Sequence, residues 1–220
     1  LAELAPHATV FGADFSEAAV VAARRYPHLK NLYFLRGDIA RLPFRRGTLD
    51  FVLCDHVIHH TADPEHTFAH LCSLLAEAGK LACYVYAKKA LPRELLDDYF
   101  RKATHGFSNE QMWEFSSQLT ELGKALSDLQ VKFKSPEIPA LGIKGGEYDI
   151  QRFIYWNFLK CFYRQDWSKQ ENDGCNFAWY PPSNAARYTP DEFKLWAEKN
   201  QVSISFFRSE EACHTMVVSK

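Results

Sequence analysis

Three acidic residues, Asp14, Asp38 and Asp55, each close an apolar, β-like run of sequence. The runs are residues 9–13, 32–35 and 49–54. Carboxylates at the carboxyl ends of neighbouring strands in an open α/β sheet point into the crevice where nucleotide-like ligands bind. An acid there accepts hydrogen bonds from ribose hydroxyls or from an exocyclic amine. The pattern implies a ligand that contains a nucleoside; the alternative is a carboxylate that only caps the next turn. His59 and His60 follow the third run and look toward the same crevice. A histidine there has a pKa suited to removing a proton near neutrality. Its alternative role is to order the loop by hydrogen bonding. His66 and His70 stand four apart on an expected helix and share a face, a spacing that zinc accepts. No HExxH accompanies them, and no metal is expected.

These groups need a scaffold, and strand and helix signals alternate through the first 88 residues. Residues 1–7 read as the tail of a helix that stops near Pro6. Ser16 sits as an N-cap with Glu17 in the first turn, opening a helix that stops before Pro27. Pro64 begins a helix over residues 64–77, with Phe68, Leu71, Leu74 and Leu75 at helical spacing and Gly79 as its C-terminal cap. A strand over residues 80–86 follows. This order predicts a parallel sheet with right-handed crossovers. Residues 202–208 and 213–218 resemble a closing antiparallel hairpin, preceded by a helix opening at Thr189-Pro190-Asp191-Glu192.

Between these stretches the composition changes. Residues 91–103 and 108–129 read as amphipathic helices, and residues 135–146 as a Pro/Gly-containing loop. Residues 151–180 hold ten aromatics, enough either for a substrate pocket or for the segment's own core. Tyr86, Trp156 and Tyr180 are the candidates to touch a substrate. The expected division is a core of residues 1–88 and 186–220 around an α-rich aromatic insertion, or cap, of residues 89–185.

The 220 residues are 47% hydrophobic, which suits a folded domain with a cap. Lys and Arg number 26 against 27 Asp and Glu, a net charge of −1, and no basic stripe marks a nucleic-acid surface. No apolar run approaches the roughly 18 residues of a membrane span, and no signal-peptide pattern opens the chain. The six cysteines are scattered without CxxC spacing. They point to a reducing, cytoplasmic setting.

Four motifs in order resemble the class I S-adenosylmethionine-dependent methyltransferases, in their small-molecule, methyltransferase-11-like branch. They are Val10-Phe11-Gly12-Ala13-Asp14-Phe15-Ser16, Gly37-Asp38-Ile39-Ala40-Arg41-Leu42-Pro43-Phe44, the stretch from Gly47 to His60, and Leu74-Leu75-Ala76-Glu77-Ala78-Gly79-Lys80-Leu81. The resemblance implies an α/β fold with a Rossmann-like, mostly parallel sheet and an antiparallel C-terminal hairpin. It implies S-adenosyl-L-methionine as cofactor and a small-molecule acceptor. By position, Asp14 binds the ribose hydroxyls, Phe15 lies against the adenine, and Asp38 with Ile39 sits at the adenine edge. Asp55 and His56 approach the methionine part, and His60 matches the family's loop histidine better than His59. One departure is that the glycine-rich turn expected upstream of Asp14 is not in the sequence. The first strand and that turn are expected to be missing upstream, leaving two unpaired sheet edges. The alternatives are a non-catalytic methyltransferase-like binding domain or a nicotinamide-dependent oxidoreductase. The Leu42-Pro43-Phe44 and His59-His60 motifs disfavour the oxidoreductase, and its Tyr-xxx-Lys pair, Tyr84 and Lys88, lies on a strand. Partners are expected to be a small-molecule substrate, with no nucleic acid and no membrane, and a homodimer through the cap's aromatic surface.

Overall fold

Alternating strands and helices fill the first part of the chain, because β-branched and aromatic runs there are punctuated by Pro, Gly and N-capping residues. The computed structural model describes residues 1–220. In chain order the elements are β1 (Val10–Asp14), α1 (Ala18–Arg25), β2 (Leu32–Arg36), β3 (Leu49–Cys54), α2 (Pro64–Leu74) and β4 (Leu75–Ala87). Next come α3 (Leu91–Ala103), α4 (Asn109–Asp128), β5 (Lys132–Ser135), β6 (Gly146–Asp149), α5 (Ile150–Asn157) and α6 (Lys169–Phe177). The chain closes with β7 (Arg187–Tyr188), α7 (Pro190–Lys199), β8 (Ser203–Ser209) and β9 (Cys213–Ser219). It divides into two compact units. Unit 1 comprises Leu1–Val85, Pro190–Ser209 and Cys213–Lys220; unit 2 comprises Tyr86–Thr189 and Glu210–Ala212. No helix is long and apolar enough to cross a membrane.

Unit 1 is α/β, with parallel strands and a closing antiparallel hairpin, a Rossmann-like arrangement. β1 and β2 pair in parallel from Val10↔Leu32 to Asp14↔Arg36 and form their own two-stranded sheet. The larger sheet runs β3-β4-β9-β8, with β3 parallel to β4 and β8 antiparallel to β9. β3 is an end strand of that path, and its Phe51 and Leu53 are 51% and 53% exposed. Alternation along β3 sends these two to one face and Val52 and Cys54 to the other. Phe68, Leu71, Leu74, Leu81, Phe193, Trp196 and Met216 are buried. The rings of Phe68, Phe193 and Trp196 meet at centroid distances of 5.2–6.4 Å.

Local chemistry corrects several sequence expectations. Residues 1–7 form turns rather than a helix tail. Their carbonyls are gathered by one side chain, Asn31, whose Nδ2 donates to Ala2, Ala5 and Ala8 at 3.0–3.1 Å. The helix expected over residues 64–77 ends at Leu74, and Gly79 is not its cap. Residues 76–79 loop out of the β3–β4 ladder, whose partners jump from Leu49↔Leu75 to Phe51↔Lys80. Ala78 takes the left-handed turn (φ 60°), while a Cβ on Gly79 would stand 2.8 Å from the Leu49 carbonyl oxygen. Glycine is needed there for close approach, not for its φ. Pro64 occupies the first turn of α2 as expected, and Asp63 caps it by accepting from the His66 amide.

Unit 2 is mostly helical, and α3 has the bounds that its periodicity predicts. The loop expected over residues 135–146 is instead flanked by a hairpin, β5 with β6. Met112, Leu119, Trp179 and Tyr180 form the buried centre, with Tyr86, Phe100, Phe115, Leu159 and Phe177 packed on it. Ser108 and Ser168 open α4 and α6 through capping boxes with Gln111 and Glu171. The irregular segment before α6 depends on two buried amides of that helix. Asn176 accepts from the Phe162 amide and donates to the Phe162 carbonyl and the Thr120 hydroxyl, at 2.9–3.0 Å. Asn172 accepts from the Arg164 amide and donates to the carbonyls of Arg164, Trp167 and Ser168. Asn176→Ala strands the Phe162 peptide groups and should cost about 1–3 kcal/mol. Urea unfolding checks this, and an unchanged midpoint would show that the segment finds other partners.

Candidate functional site

The end of β1 is organised by Ser16. Asp14 is the last residue of β1, and its Oδ1 accepts from the Ser16 amide at 2.7 Å and the Ser16 hydroxyl at 2.6 Å. The same hydroxyl accepts from the Ala18 amide at 3.1 Å and so opens α1. Ser16 thus performs the capping chemistry expected of it, although the helix itself is flanked by Glu17. The two Ser16 bonds, hydroxyl first, hold the Asp14 carboxyl below the usual carboxylate range. Both bonds fall on Oδ1, which leaves Oδ2 to accept from a ligand. Beside it the Phe15 ring is 77% exposed.

The neighbouring strand supplies the second carboxylate. The Gly37 amide donates to the Asp14 carbonyl at 2.9 Å, so the turn after β2 is tied to the end of β1. Asp38 follows, and its Oδ1 accepts from the Ala40 amide at 2.9 Å, capping a single 3-10 turn at Ile39–Arg41. Ile39 is half-buried in that turn, while Asp38 is exposed.

Asp55 comes directly after β3 and its Oδ1 meets His56 Nδ1 at 2.8 Å. His56 has φ 58°, a conformation that costs a non-glycine residue about 1–3 kcal/mol and gathers at ligand sites. Its imidazole stacks on Tyr84 at 3.8 Å between centroids, which offsets part of that cost. His59 and His60 end the next 3-10 turn, Ile58–His60. Their rings meet edge-on at 4.3 Å, but their settings differ. His59 is fully buried, and burial, followed by the charge of His60, holds its pKa down to about 3. It is neutral near pH 7 and a weak base there. His60 is only half-buried. No cluster of His, Cys, Asp or Glu converges as metal ligands would. His66 is exposed on α2 and His70 is half-buried, its pKa lowered by burial first.

The three aromatic candidates lie in unit 2. Tyr86 packs on Trp179 at 5.0 Å, and Tyr180 is buried against Phe100 and Phe115. Trp156 lies under the Lys89 ammonium at 5.1 Å. Sequence reasoning missed the charges within this aromatic cluster, Arg93, Asp97 and Lys160, all of them buried. The i, i+4 spacing of Arg93 and Asp97 was visible, but that spacing usually marks a solvated helix face.

A family model described as a methyltransferase domain matches residues 1–83. Over those residues the chain is similar to a methyltransferase domain. The demethylmenaquinone methyltransferase of Thermus thermophilus is 37% identical over 83 residues, covering 37% of this chain and 38% of that protein. That of Lactococcus lactis is 28% identical over 101 residues, 44% of this chain and 40% of its own length. The chain therefore spans about two-fifths of the curated relatives it matches. A solved S-adenosylmethionine-dependent methyltransferase from Mesorhizobium loti has a TM-score of 0.52 at 9% identity, over 97% of this chain and 81% of that one. This likeness is one of fold.

Residues 1–83 carry groups that fit a nucleoside-containing cofactor such as S-adenosylmethionine. Asp14 and Asp38 each keep one carboxylate oxygen beyond the bonds made within the protein, and Phe15 offers a free ring face. Gly12, by contrast, is a packing glycine: a Cβ there would stand 2.8 Å from the Phe34 ring.

His59 also predicts an acid response. Its folded pKa lies below the ordinary 6.5, so its contribution is present above pH 6.5 and is lost as pH falls toward about 3. Unfolding free energy should fall by up to about 1.4 kcal/mol per pH unit in that window. His59→Gln should flatten this slope in urea titrations at stepped pH. Parallel wild-type and variant slopes would mean that another group carries the acid response.

Proposed function

We propose that this chain binds S-adenosylmethionine through unit 1 and takes part in methyl transfer to a small-molecule acceptor. The observation that carries the reading is the pair of strand-end carboxylates, Asp14 and Asp38, tied together by the Gly37–Asp14 hydrogen bond. Asp14, ionised well below neutrality, accepts from the ribose hydroxyls through Oδ2. Asp38 accepts from the adenine amino group, with Phe15 against the ring face and Ile39 at its edge. Asp55 and His56 meet the methionine portion, a role supported by their mutual hydrogen bond and the stacking of His56 on Tyr84.

When bound, the cofactor supplies an electrophilic methyl group on a sulfonium. The protein's task is then chiefly alignment, since an in-line displacement gains most from a nucleophile held in position. Where the acceptor is protonated at rest, His60 is the better proton acceptor. His59, neutral and buried, fits a positioning role through its edge-on contact with His60. The relatives named demethylmenaquinone methyltransferase support a small-molecule acceptor.

Calorimetric titration with S-adenosylhomocysteine, with NAD in parallel, tests the reading. Binding of the former alone supports it, and binding of NAD alone would replace it with a nicotinamide-dependent function. Asp14→Ala should weaken S-adenosylhomocysteine binding by about 1–3 kcal/mol through loss of a charge-assisted hydrogen bond. An unchanged affinity in that variant would remove Asp14 from the site.

A further inference from the structure

Unit 2 buries more positive charge than its own carboxylates neutralise. Arg93 is 0% exposed and its Nε bridges both oxygens of Asp97, itself fully buried, at 2.9 Å. Its Nη1 donates to the Tyr155 carbonyl, and its Nη2 is buried without an acceptor. Lys160 is 4% exposed, and its Nζ meets only the Tyr155 hydroxyl at 3.3 Å and Cys175 Sγ at 3.7 Å. Both cations lie over the same two rings. Arg93 stands 5.1 Å from the Tyr155 centroid and 5.5 Å from that of Trp179; Lys160 stands 5.2 and 4.9 Å from them.

The surrounding groups do not close the account. Arg101 Nη1 donates to the carbonyls of Trp179, Tyr180 and Pro182, while its Nε and Nη2 are buried without acceptors. Trp179 Nε1 is likewise buried and unpartnered. The Tyr180 hydroxyl stands beside Asp97, outside good hydrogen-bond geometry, and burial pushes its pKa up. Glu94 and Asp98, which could have balanced the cations, are both engaged by Arg187 at 2.5 Å. Arg93, Arg101 and Trp179 thus keep four buried donor nitrogens without acceptors, and an orphan acceptor of this unit, Asp173 Oδ1, belongs to a carboxylate already engaged by Lys169. Buried polar groups are normally satisfied, so orphan donors of one kind gathered beside surplus cations call for an acceptor from outside the chain.

We infer that unit 2 binds an oxyanion, a carboxylate or phosphate, carried on a flat aromatic body. Lys160, Arg93 Nη2 and Arg101 supply charge, Trp179 Nε1 adds a directed donor, and the rings of Trp179, Tyr155 and Tyr86 provide an apolar face. The oxyanion site itself requires no cofactor.

The test is titration of the full chain, without cofactor, with benzoate, phenyl phosphate, inorganic phosphate and the neutral isostere benzamide, read by calorimetry and tryptophan fluorescence. Benzoate or phenyl phosphate should bind at least about tenfold more tightly than benzamide. Which of the two binds better distinguishes a carboxylate from a phosphate site, and inorganic phosphate alone binding would overturn the aromatic part of the inference. Lys160→Met and Arg101→Gln should each weaken binding by about tenfold or more, while Lys160→Arg keeps it. Because Lys160→Met removes an uncompensated buried charge, its melting temperature without ligand should be no lower than that of the wild type. Equal affinity for benzoate and benzamide, or folded variants that bind as the wild type does, would overturn the site. If Lys160→Met does not fold, Arg101→Gln decides. S-adenosylhomocysteine titration of the same preparations keeps a failure of this site distinct from a failure of the cofactor reading.

Discussion

The hydrogen bond from the Gly37 amide to the Asp14 carbonyl extends the β1–β2 ladder past the last strand pair and into the turn. Its consequence is positional. Asp14 closes one strand, and Asp38 begins the turn after the next, so the two carboxylates come from adjacent parallel strands with a fixed stagger. Each is then pinned at one oxygen by a nearby amide, Ser16 for Asp14 and Ala40 for Asp38. That arrangement immobilises the carboxylate without using all of its accepting capacity. A ligand meeting such groups loses little to side-chain ordering, the usual cost of recognition by exposed acids.

The same end of unit 1 shows how neighbouring residues of one type acquire different chemistry. His56, His59 and His60 lie within five residues, and nothing in their spacing ranks them. Burial does. His59 sits in the core and is held neutral, whereas His56 is exposed, left-handed at φ 58° and stacked on Tyr84. The acids at the strand ends were legible because a strand announces itself by alternation and stops at a polar residue. The environment of each histidine was not, since it depends on Tyr84, about thirty residues away and contributed by β4.

In unit 2 helix signals were similarly readable, as the bounds of α3 and α4 show. The β5–β6 hairpin escaped notice because its strands are four residues each and carry lysine, glutamate and aspartate. The stretch around residues 158–168 escaped for a different reason. Its peptide groups are satisfied by Asn172 and Asn176 rather than by a ladder, and an asparagine inside a helix reads from sequence as a neutral surface residue. The aromatic richness of this region was plain, but aromatics alone leave a pocket and a core equally open.

What separates those two uses is polar bookkeeping. An aromatic core that existed only for stability would exclude Arg93, Lys160 and Asp97, since replacing a buried ion pair by apolar side chains is often neutral or stabilising. It would in any case match the charges it kept. Here the one fully buried carboxylate, Asp97, is taken up by Arg93, Lys160 has no carboxylate partner, and Arg187 draws off the two acids at the edge. The imbalance of the fully buried charges has one sign, and Arg93, Arg101 and Trp179 keep donors without acceptors. A ligand that brings negative charge and lone pairs turns each of these costs into binding free energy, and stability foregone in the empty protein becomes selectivity for an anionic partner.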